Sequence, residues 1–231
     1  MIFVAVYRVN KNRGYTVMAN FHLRDKSLSL KAVGLLSKML SFNDGFDLPI
    51  LDWIQAHLQC GFLDAVMPIV TLFGEGGIFW IAWAVLMLVF PKTRKTGIAM
   101  AIALVMGVLI CNVTLKPLVA RPRPYDFQYE NFGITIKLLI DAQHDYSFPS
   151  GHTIASFEAA IPLMIYDKRM GIPAMVIAVL VTFSRLYLYV HYPTDVIFSI
   201  IVGTAFAFIG NALAEKIAQR LPAPAKGKYE N

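Results

Sequence analysis

Long apolar runs separated by short polar stretches make up most of the chain after residue 75. Their length and composition predict helices that cross a membrane, at 76–90, 96–115, 151–166, 171–190 and 195–213. Residues 48–73 hold two shorter apolar pieces divided at Cys60 and Gly61. They predict an interfacial helix followed by a short or tilted membrane helix, and leave open whether the segment crosses.

The two ends of the chain differ from this middle part. Residues 1–45 are a mixed, polar and basic extension, and residues 218–231 form a polar tail that is predicted to be disordered in the cytoplasm. The predicted fold class is therefore an all-α, polytopic membrane bundle. Its five to six transmembrane helices lie within residues 46–217, and a short mixed extension precedes them.

Composition supports a membrane protein. Of the 231 residues, 57% are hydrophobic and 16% are charged, whereas soluble domains have roughly 25% charged residues. Cys60 and Cys111 are the two cysteines, too few for a disulfide framework. The chain does not open on a cleavable signal-peptide pattern.

Basic residues predict the orientation of the bundle. Threading the predicted helices places three basic clusters on one side: Lys92, Arg94 and Lys95, then Lys168 and Arg169, then Lys216, Arg220, Lys226 and Lys228. The positive-inside rule assigns that side to the cytoplasm, so three polar motifs fall on the extracytoplasmic side. The basic N-terminal extension also favours the cytoplasm, which would require residues 48–73 to cross.

The first motif holds two cations at a fixed separation. Lys116 and Arg123 are seven residues apart, and the prolines at 117, 122 and 124 stiffen the segment. Arg121 is a third cation in this stretch. The alternative is a set of interfacial anchors that reach the lipid headgroups.

The second motif, Ser150-Gly151-His152, opens a predicted helix after Pro149. Backbone N–H groups at a helix start favour an anion, and Gly151 allows a phosphate to approach closely. His152 in the first turn could protonate a leaving oxygen. The alternative is an ordinary N-cap at Ser150 with an incidental histidine.

The third motif combines Arg185 with His191 and Asp195 at the start of the last helix. Asp195 is four residues from His191, so its carboxylate could hold one ring nitrogen and leave the other free to attack. The alternative is an interfacial histidine beside a capping aspartate. Together the three motifs supply cations, histidines and a carboxylate on one face, which suits phosphoryl transfer to a histidine and then to water.

These residues resemble the complete tripartite signature of the type-2 phosphatidic acid phosphatase superfamily: Lys116-x6-Arg123-Pro124, Pro149-Ser150-Gly151-His152 and Ser184-Arg185-x5-His191-x3-Asp195. The resemblance implies that His191 is the nucleophile, that Asp195 orients it, and that His152 is the general acid and then the base. It further implies that the phosphate is held by Lys116, Arg123, Ser150, Gly151 and Arg185. The family is metal-independent, and no cofactor is expected.

The resemblance implies an integral membrane phosphatase of the cell membrane whose partners are membrane lipids and a lipid phosphate or diphosphate substrate. Phosphatidate, phosphatidylglycerophosphate and undecaprenyl diphosphate all remain open, and the last is favoured weakly. The motifs also allow a phosphotransferase that uses the same phosphohistidine, or a lipid-binding protein that has repurposed the site. The oligomeric state stays open.

A second, shorter resemblance covers the N-terminal extension. Residues 21–36 resemble the start of the winged-helix domain of phage and plasmid replication initiators. The match is shorter than a full winged helix and its recognition helix is missing, so no nucleic-acid partner is expected. A membrane-tethered DNA-binding protein is the corresponding alternative.

Overall fold

Helices follow the apolar runs in the computed structural model, which describes residues 43–220. The α-helices are α1 (Leu48–Leu58), α2 (Gly61–Leu72), α3 (Ile78–Val89), α4 (Arg94–Met106), α5 (Lys116–Val119), α6 (Pro124–Phe132), α7 (Gly151–Tyr166), α8 (Lys168–Tyr187) and α9 (Pro193–Arg220). Three wider or tighter helical segments join them: a π-turn (Asn43–Asp47), a 3-10 turn (Glu75–Gly77) and a π-helix (Gly107–Leu115) that continues α4.

Local chemistry accounts for several helix boundaries. Asp167 caps α8, since its side chain accepts a hydrogen bond from the Arg169 N–H at 2.9 Å. Proline is the first residue of both α6 and α9, a position that suits its fixed φ angle. Gly133 ends α6 in the left-handed region, at φ 69°.

The bundle has the surface of a multi-pass membrane protein. Within residues 43–220, four helical stretches are long and apolar enough to cross a membrane: Gly61–Val89, Arg94–Phe132, Lys168–Tyr187 and Pro193–Gln219. Large side chains such as Ile78, Val105, Val176 and Ile201 are exposed on them. A lipid environment explains this exposure, because these apolar side chains would otherwise face water.

Helix α7 occupies the centre of the bundle and packs against α4, α8 and α9. Small residues allow the close approach: a Cβ on Gly171 would collide with the Met164 backbone, and one on Gly210 would lie 2.5 Å from the Ala99 carbonyl oxygen. Trp80 of α3 donates a hydrogen bond to Ser156 of α7 at 3.0 Å, so α3 begins near the start of α7.

The segment 48–73 does not carry the chain from one end of the bundle to the other. Leu48, Leu51 and Ile54 of α1 belong to the same apolar core as Tyr187 to Tyr192, beside the third motif. Helix α2 then continues through a glycine-rich bend into α3, and residues 61–89 together are long and apolar enough for one span. Residues 43–58 therefore lie at the motif end, whereas the sequence left open whether residues 48–73 cross.

Other boundaries also differ from the sequence prediction. The predicted polar loop after residue 116 contains α5 and α6, and α9 extends through the predicted domain boundary at 217 to Arg220. Among the described residues, the basic clusters at Lys92–Lys95, at Lys168–Arg169 and at Lys216 lie at the end opposite the motifs, where Lys95 pairs with Glu215 at 2.8 Å. Most of the predicted N-terminal extension (1–42) and the tail beyond 220 lie outside the described residues.

Candidate active site

His191 lies in the tight turn between α8 and α9. The N–H groups of Val190 and His191 both donate to the Arg185 carbonyl oxygen, at 3.2 and 3.3 Å, and Tyr189 takes a left-handed φ of 59°. This turn buries the imidazole, which is 1% exposed. Burial lowers the pKa of His191 well below its ordinary value, although Asp195 opposes the shift. The ring is therefore neutral and keeps a lone pair for attack.

Asp195 faces one nitrogen of that ring. Its Oδ2 lies 3.6 Å from His191 Nδ1, slightly farther than a hydrogen bond. The same carboxylate accepts hydrogen bonds from Ser147 Oγ at 2.6 Å and from the Tyr192 N–H at 3.0 Å. Because Asp195 is fully buried, these contacts fix the side chain that orients the histidine.

Arg121 completes the support of Asp195 and faces away from the phosphate side of the site. It forms ion pairs with Asp195 and, at 2.6 Å, with Asp47. Its guanidinium lies 3.8 Å from the centre of the Tyr192 ring. The Arg121 side chain is 1% exposed, so this cation serves the two carboxylates rather than a substrate.

Lys116 and Arg123 share one carboxylate, Asp145. Both cations form ion pairs with it. Partial burial of Asp145 is outweighed by the hydrogen bonds and charges of Lys116 and Arg123, which hold the pKa of its carboxyl well below the ordinary value. Arg123 Nη1 also donates to the Val190 carbonyl oxygen at 2.7 Å and lies 3.4 Å from His191 Nε2. That nitrogen, opposite the one facing Asp195, is therefore next to a fixed cation.

Arg185 has buried hydrogen-bond donors at the edge of the cavity. It is 1% exposed and donates to Thr71 Oγ1 at 2.6 Å. Its Nε and Nη2 atoms are buried and have no hydrogen-bond partner among residues 43–220. Buried donors of a charged group without a partner are costly. An anion in the adjacent cavity would satisfy them.

His152 lies beside Arg185 and Glu75. Its Nε2 is 3.4 Å from Arg185 Nη1 and 3.4 Å from Glu75 Oε2. The glycine-rich turn that carries Glu75 is fitted to this ring, because a Cβ on Gly74 would lie 2.6 Å from His152 Cδ2. Gly76 and Gly77 adopt φ angles of 55° and 68°, which allow the tight turn.

Ser150 acts as the N-cap of α7. Its Oγ accepts hydrogen bonds from the Thr153 N–H at 3.5 Å and from Thr153 Oγ1 at 3.0 Å. Its own N–H donates to Ser199 Oγ at 2.9 Å, and the residue is fully buried. Gly151 and His152 line the adjacent cavity. Ser150 thus has the capping contacts of the alternative interpretation, and phosphate binding by this residue stays a prediction.

A single cavity of about 240 Å³ joins the predicted residues. Its wall includes Lys116, Arg123, Gly151, His152, Arg185 and His191. Asp195 stands behind His191, and Ser150 behind Gly151. Residues separated by more than seventy positions in the chain therefore meet in one volume, with the neutral ring of His191 facing three cations.

Sequence reasoning missed the acidic residues of this site. Glu75, Asp145 and Glu158 all line the cavity, and Asp47 is linked to Asp195 through Arg121. For Glu75 and Glu158 a signal was present, since each is a lone carboxylate inside an apolar run. Among residues 43–220, no group of three or more His, Cys, Asp or Glu side chains is placed to hold a metal ion.

The fold and the site define a multi-pass membrane protein with a histidine facing a cavity lined by three cationic side chains. The sequence profile of the PAP2 superfamily matches residues 94–218. A further match is the undecaprenyl-diphosphatase of Sulfolobus acidocaldarius, 33% identical over 72% of this chain and 78% of that protein. Phosphatidylglycerophosphatase B of Bacillus subtilis is 31% identical over 66% of this chain and 69% of that protein. The chain belongs to the PAP2 superfamily.

Solved structures agree with the fold. LpxE of Aquifex aeolicus superposes with a TM-score of 0.62 at 22% identity, covering 72% of this chain and 94% of that one. A transmembrane PAP2-type phosphatidylglycerolphosphate phosphatase from Bacillus subtilis superposes with a TM-score of 0.54 at 25% identity, covering 80% and 98%. The predicted membrane bundle and the predicted superfamily are both confirmed, and the protein is a membrane phosphatase of the lipid phosphatase type.

Proposed function

We propose that this protein hydrolyses a lipid phosphate or diphosphate through a phosphohistidine on His191. The observation that carries the proposal is a pair of buried Arg185 donors that have no hydrogen-bond partner among the described residues and lie beside the same cavity as His191. The names of the similar proteins support a lipid substrate. Undecaprenyl diphosphate, phosphatidylglycerophosphate and phosphatidate are the candidates, and the site would face the extracytoplasmic side of the cell membrane, opposite the basic clusters.

In the first step His191 Nε2 attacks phosphorus while the bond from phosphorus to the lipid oxygen breaks. Lys116, Arg123, Arg185 and the Gly151 N–H would hold the phosphate oxygens and stabilise the charge that develops on them. Asp195 would keep the ring oriented and stabilise the positive charge that the phosphorylated ring acquires. For this step the phosphate must displace the Asp145 carboxylate from Lys116 and Arg123.

His152 would carry the proton in both steps. It first gives a proton to the leaving lipid oxygen, which departs as an alcohol or as a lipid phosphate. It then takes a proton from the water that attacks the phosphohistidine, and the bond between nitrogen and phosphorus breaks to release phosphate. The protons balance over the cycle, so none needs to be exchanged with the solvent.

Purified protein in detergent provides the direct test of the proposal. Phosphate release from the three candidate lipids is measured in parallel, with EDTA present and with His191→Ala as the control. Release that depends on His191 supports a histidine phosphatase and ranks the substrates. A folded protein that releases phosphate from none of them would contradict the proposal.

Replacing His152 with alanine should reduce hydrolysis of an alkyl phosphate more than hydrolysis of p-nitrophenyl phosphate. An alkoxide needs a proton to leave, whereas p-nitrophenolate is stable without one. We expect a loss of about 10²- to 10⁴-fold on the alkyl substrate, the usual contribution of a general acid. Equal losses of kcat/KM on both substrates would show that His152 does not protonate the leaving group.

Orthovanadate should inhibit the protein competitively, and EDTA should leave its activity unchanged. Vanadate takes the five-coordinate geometry of the transition state and would occupy the site between the three cations and His191. The check is an inhibition series in which substrate and vanadate are both varied. Strong inhibition by EDTA, reversed by added divalent cation, would indicate a metal in the reaction.

A further inference from the structure

Glu158 is a buried carboxyl group that the proposed reaction does not use. It lies on the central helix α7 and is 1% exposed. Its Oε1 atom has no hydrogen-bond partner among residues 43–220. A buried polar atom without a partner is costly, and an ionisable side chain within a membrane bundle usually has a function.

The carboxyl group borders the same cavity as the phosphate-binding residues. Gly151, Ile154 and Glu158 follow one another at helical spacing, so they share one face of α7, and all three line the cavity. Seven residues separate Gly151 from Glu158, about 10 Å along the helix axis. Helical side chains lean toward the N-terminus, so the Glu158 carboxyl leans back toward the phosphate site.

The opposite wall leaves room for this carboxyl group. A Cβ on Gly107 would collide with both carboxyl oxygens of Glu158, so only glycine fits there without displacing them. The neighbouring lining residues Leu104, Val108 and Ile81 are apolar. Val108 and Ile81 are also 48% and 47% exposed, which indicates that this part of the cavity opens toward lipid.

We propose that Glu158 forms a second subsite that accepts a hydrogen bond from a hydroxyl group on the leaving alcohol, close to the scissile ester. This inference rests on the proposed function and specifies its substrate class. A carboxyl group retains an acceptor oxygen whether or not it is protonated. Hydroxyl groups are therefore suitable ligands, whereas a hydrocarbon chain would leave the carboxyl without a partner.

The three candidate substrates differ in whether they could donate a hydrogen bond to this subsite. The leaving group of phosphatidylglycerophosphate carries a free glycerol hydroxyl beside the ester carbon. The corresponding position of phosphatidate carries an acyl ester, and the polyprenyl chain of undecaprenyl diphosphate has no hydrogen-bond donor. A site with a buried hydrogen-bonding group rejects analogues that lack the matching group, so Glu158 favours the hydroxyl-bearing leaving group.

The test uses two substrates that differ by one hydroxyl: 1-acylglycerol 3-phosphate and the 1-acylpropanediol 3-phosphate that lacks the hydroxyl at carbon 2. We expect the unmodified protein to prefer the first in kcat/KM by about tenfold, the effect of one hydrogen bond made in a buried site. Glu158→Leu should remove this preference by lowering kcat/KM on the hydroxyl substrate, and Glu158→Gln should keep part of it through its amide oxygen.

Gly107→Ala provides an independent perturbation that keeps the carboxyl group but displaces it. It should reduce the preference for the hydroxyl substrate as Glu158→Leu does. It therefore still tests the subsite if the Glu158→Leu variant does not fold. Glu215→Gln is the matched control, because Glu215 is half exposed and lies at the opposite end of the bundle. It should leave both rates and their ratio unchanged.

The outcomes separate the two proposals. If the unmodified protein hydrolyses both substrates equally, or if Glu158→Leu lowers both rates by the same factor, the subsite is wrong while the phosphatase stands. If the unmodified protein hydrolyses neither these substrates nor the three candidate lipids, the proposed function itself fails. A preference that Glu158→Leu and Gly107→Ala both remove, and that Glu215→Gln keeps, supports the subsite.

Discussion

Replacing His191 with alanine is expected to reduce turnover to background, by about 10³-fold or more, on every phosphate ester that the protein hydrolyses. The other histidine at the cavity, His152, lies beside Arg185 and Glu75, whereas His191 alone has a carboxylate behind one nitrogen and Arg123 beside the other. Removal of a covalent nucleophile leaves only the contributions of binding and electrostatics.

The measurement combines steady-state rates with rapid trapping of the phosphorylated protein in alkaline denaturant. The unmodified protein should yield an acid-labile, alkali-stable phosphoenzyme, and the His191→Ala variant should yield none. His144→Ala is the matched control, because His144 is an exposed histidine in the loop before α7 and should not change the rate. Turnover that survives in His191→Ala would move the nucleophile to another residue.

The sequence predicted the bundle because lipid imposes a simple rule on it. Each crossing needs a long apolar helix, and the apolar runs of this chain are long enough to be recognised. The glycine-rich bend at 74–77 was harder to predict from the sequence, because the helices on both sides of it are apolar and hydropathy does not show a change of direction between them. The path of residues 48–73 depends on that bend and on the contacts of α1. Hydropathy predicts neither the bend nor those contacts.

Motif order and spacing were enough to predict the main residues of the candidate site. The fold places them on the wall of one cavity: Lys116, Arg123, His152, Arg185 and His191. The acidic partners of these cations were not predicted from the sequence, for a physical reason. Their role depends on which cation each one meets, and pairs such as Arg121 with Asp47 join residues 74 positions apart. A sequence shows that Arg121 is a cation near a phosphate motif, but only the fold shows that two buried carboxylates surround it.

Replacing Arg121 with alanine is expected to lower both stability and turnover. The change leaves Asp47 and Asp195 buried with no cation between them, and breaking a buried pair in this way costs about 3–5 kcal/mol of unfolding free energy. Asp195 would also lose one of the contacts that fix it beside His191. We expect kcat to fall by about 10²-fold or more in the protein that remains folded, while KM changes little because Arg121 does not line the cavity.

Asp47→Asn separates these two effects. It removes one carboxylate of the cluster but leaves the ion pair between Arg121 and Asp195 intact, so stability should fall less and kcat should stay close to that of the unmodified protein. Lys95→Ala removes a half-exposed ion pair at the opposite end, which contributes at most about 1 kcal/mol, and serves as the control. Unfolding temperatures in detergent and kcat on p-nitrophenyl phosphate are measured for all three variants. If kcat per folded molecule were unchanged in Arg121→Ala, Arg121 would stabilise the fold without positioning the catalytic pair.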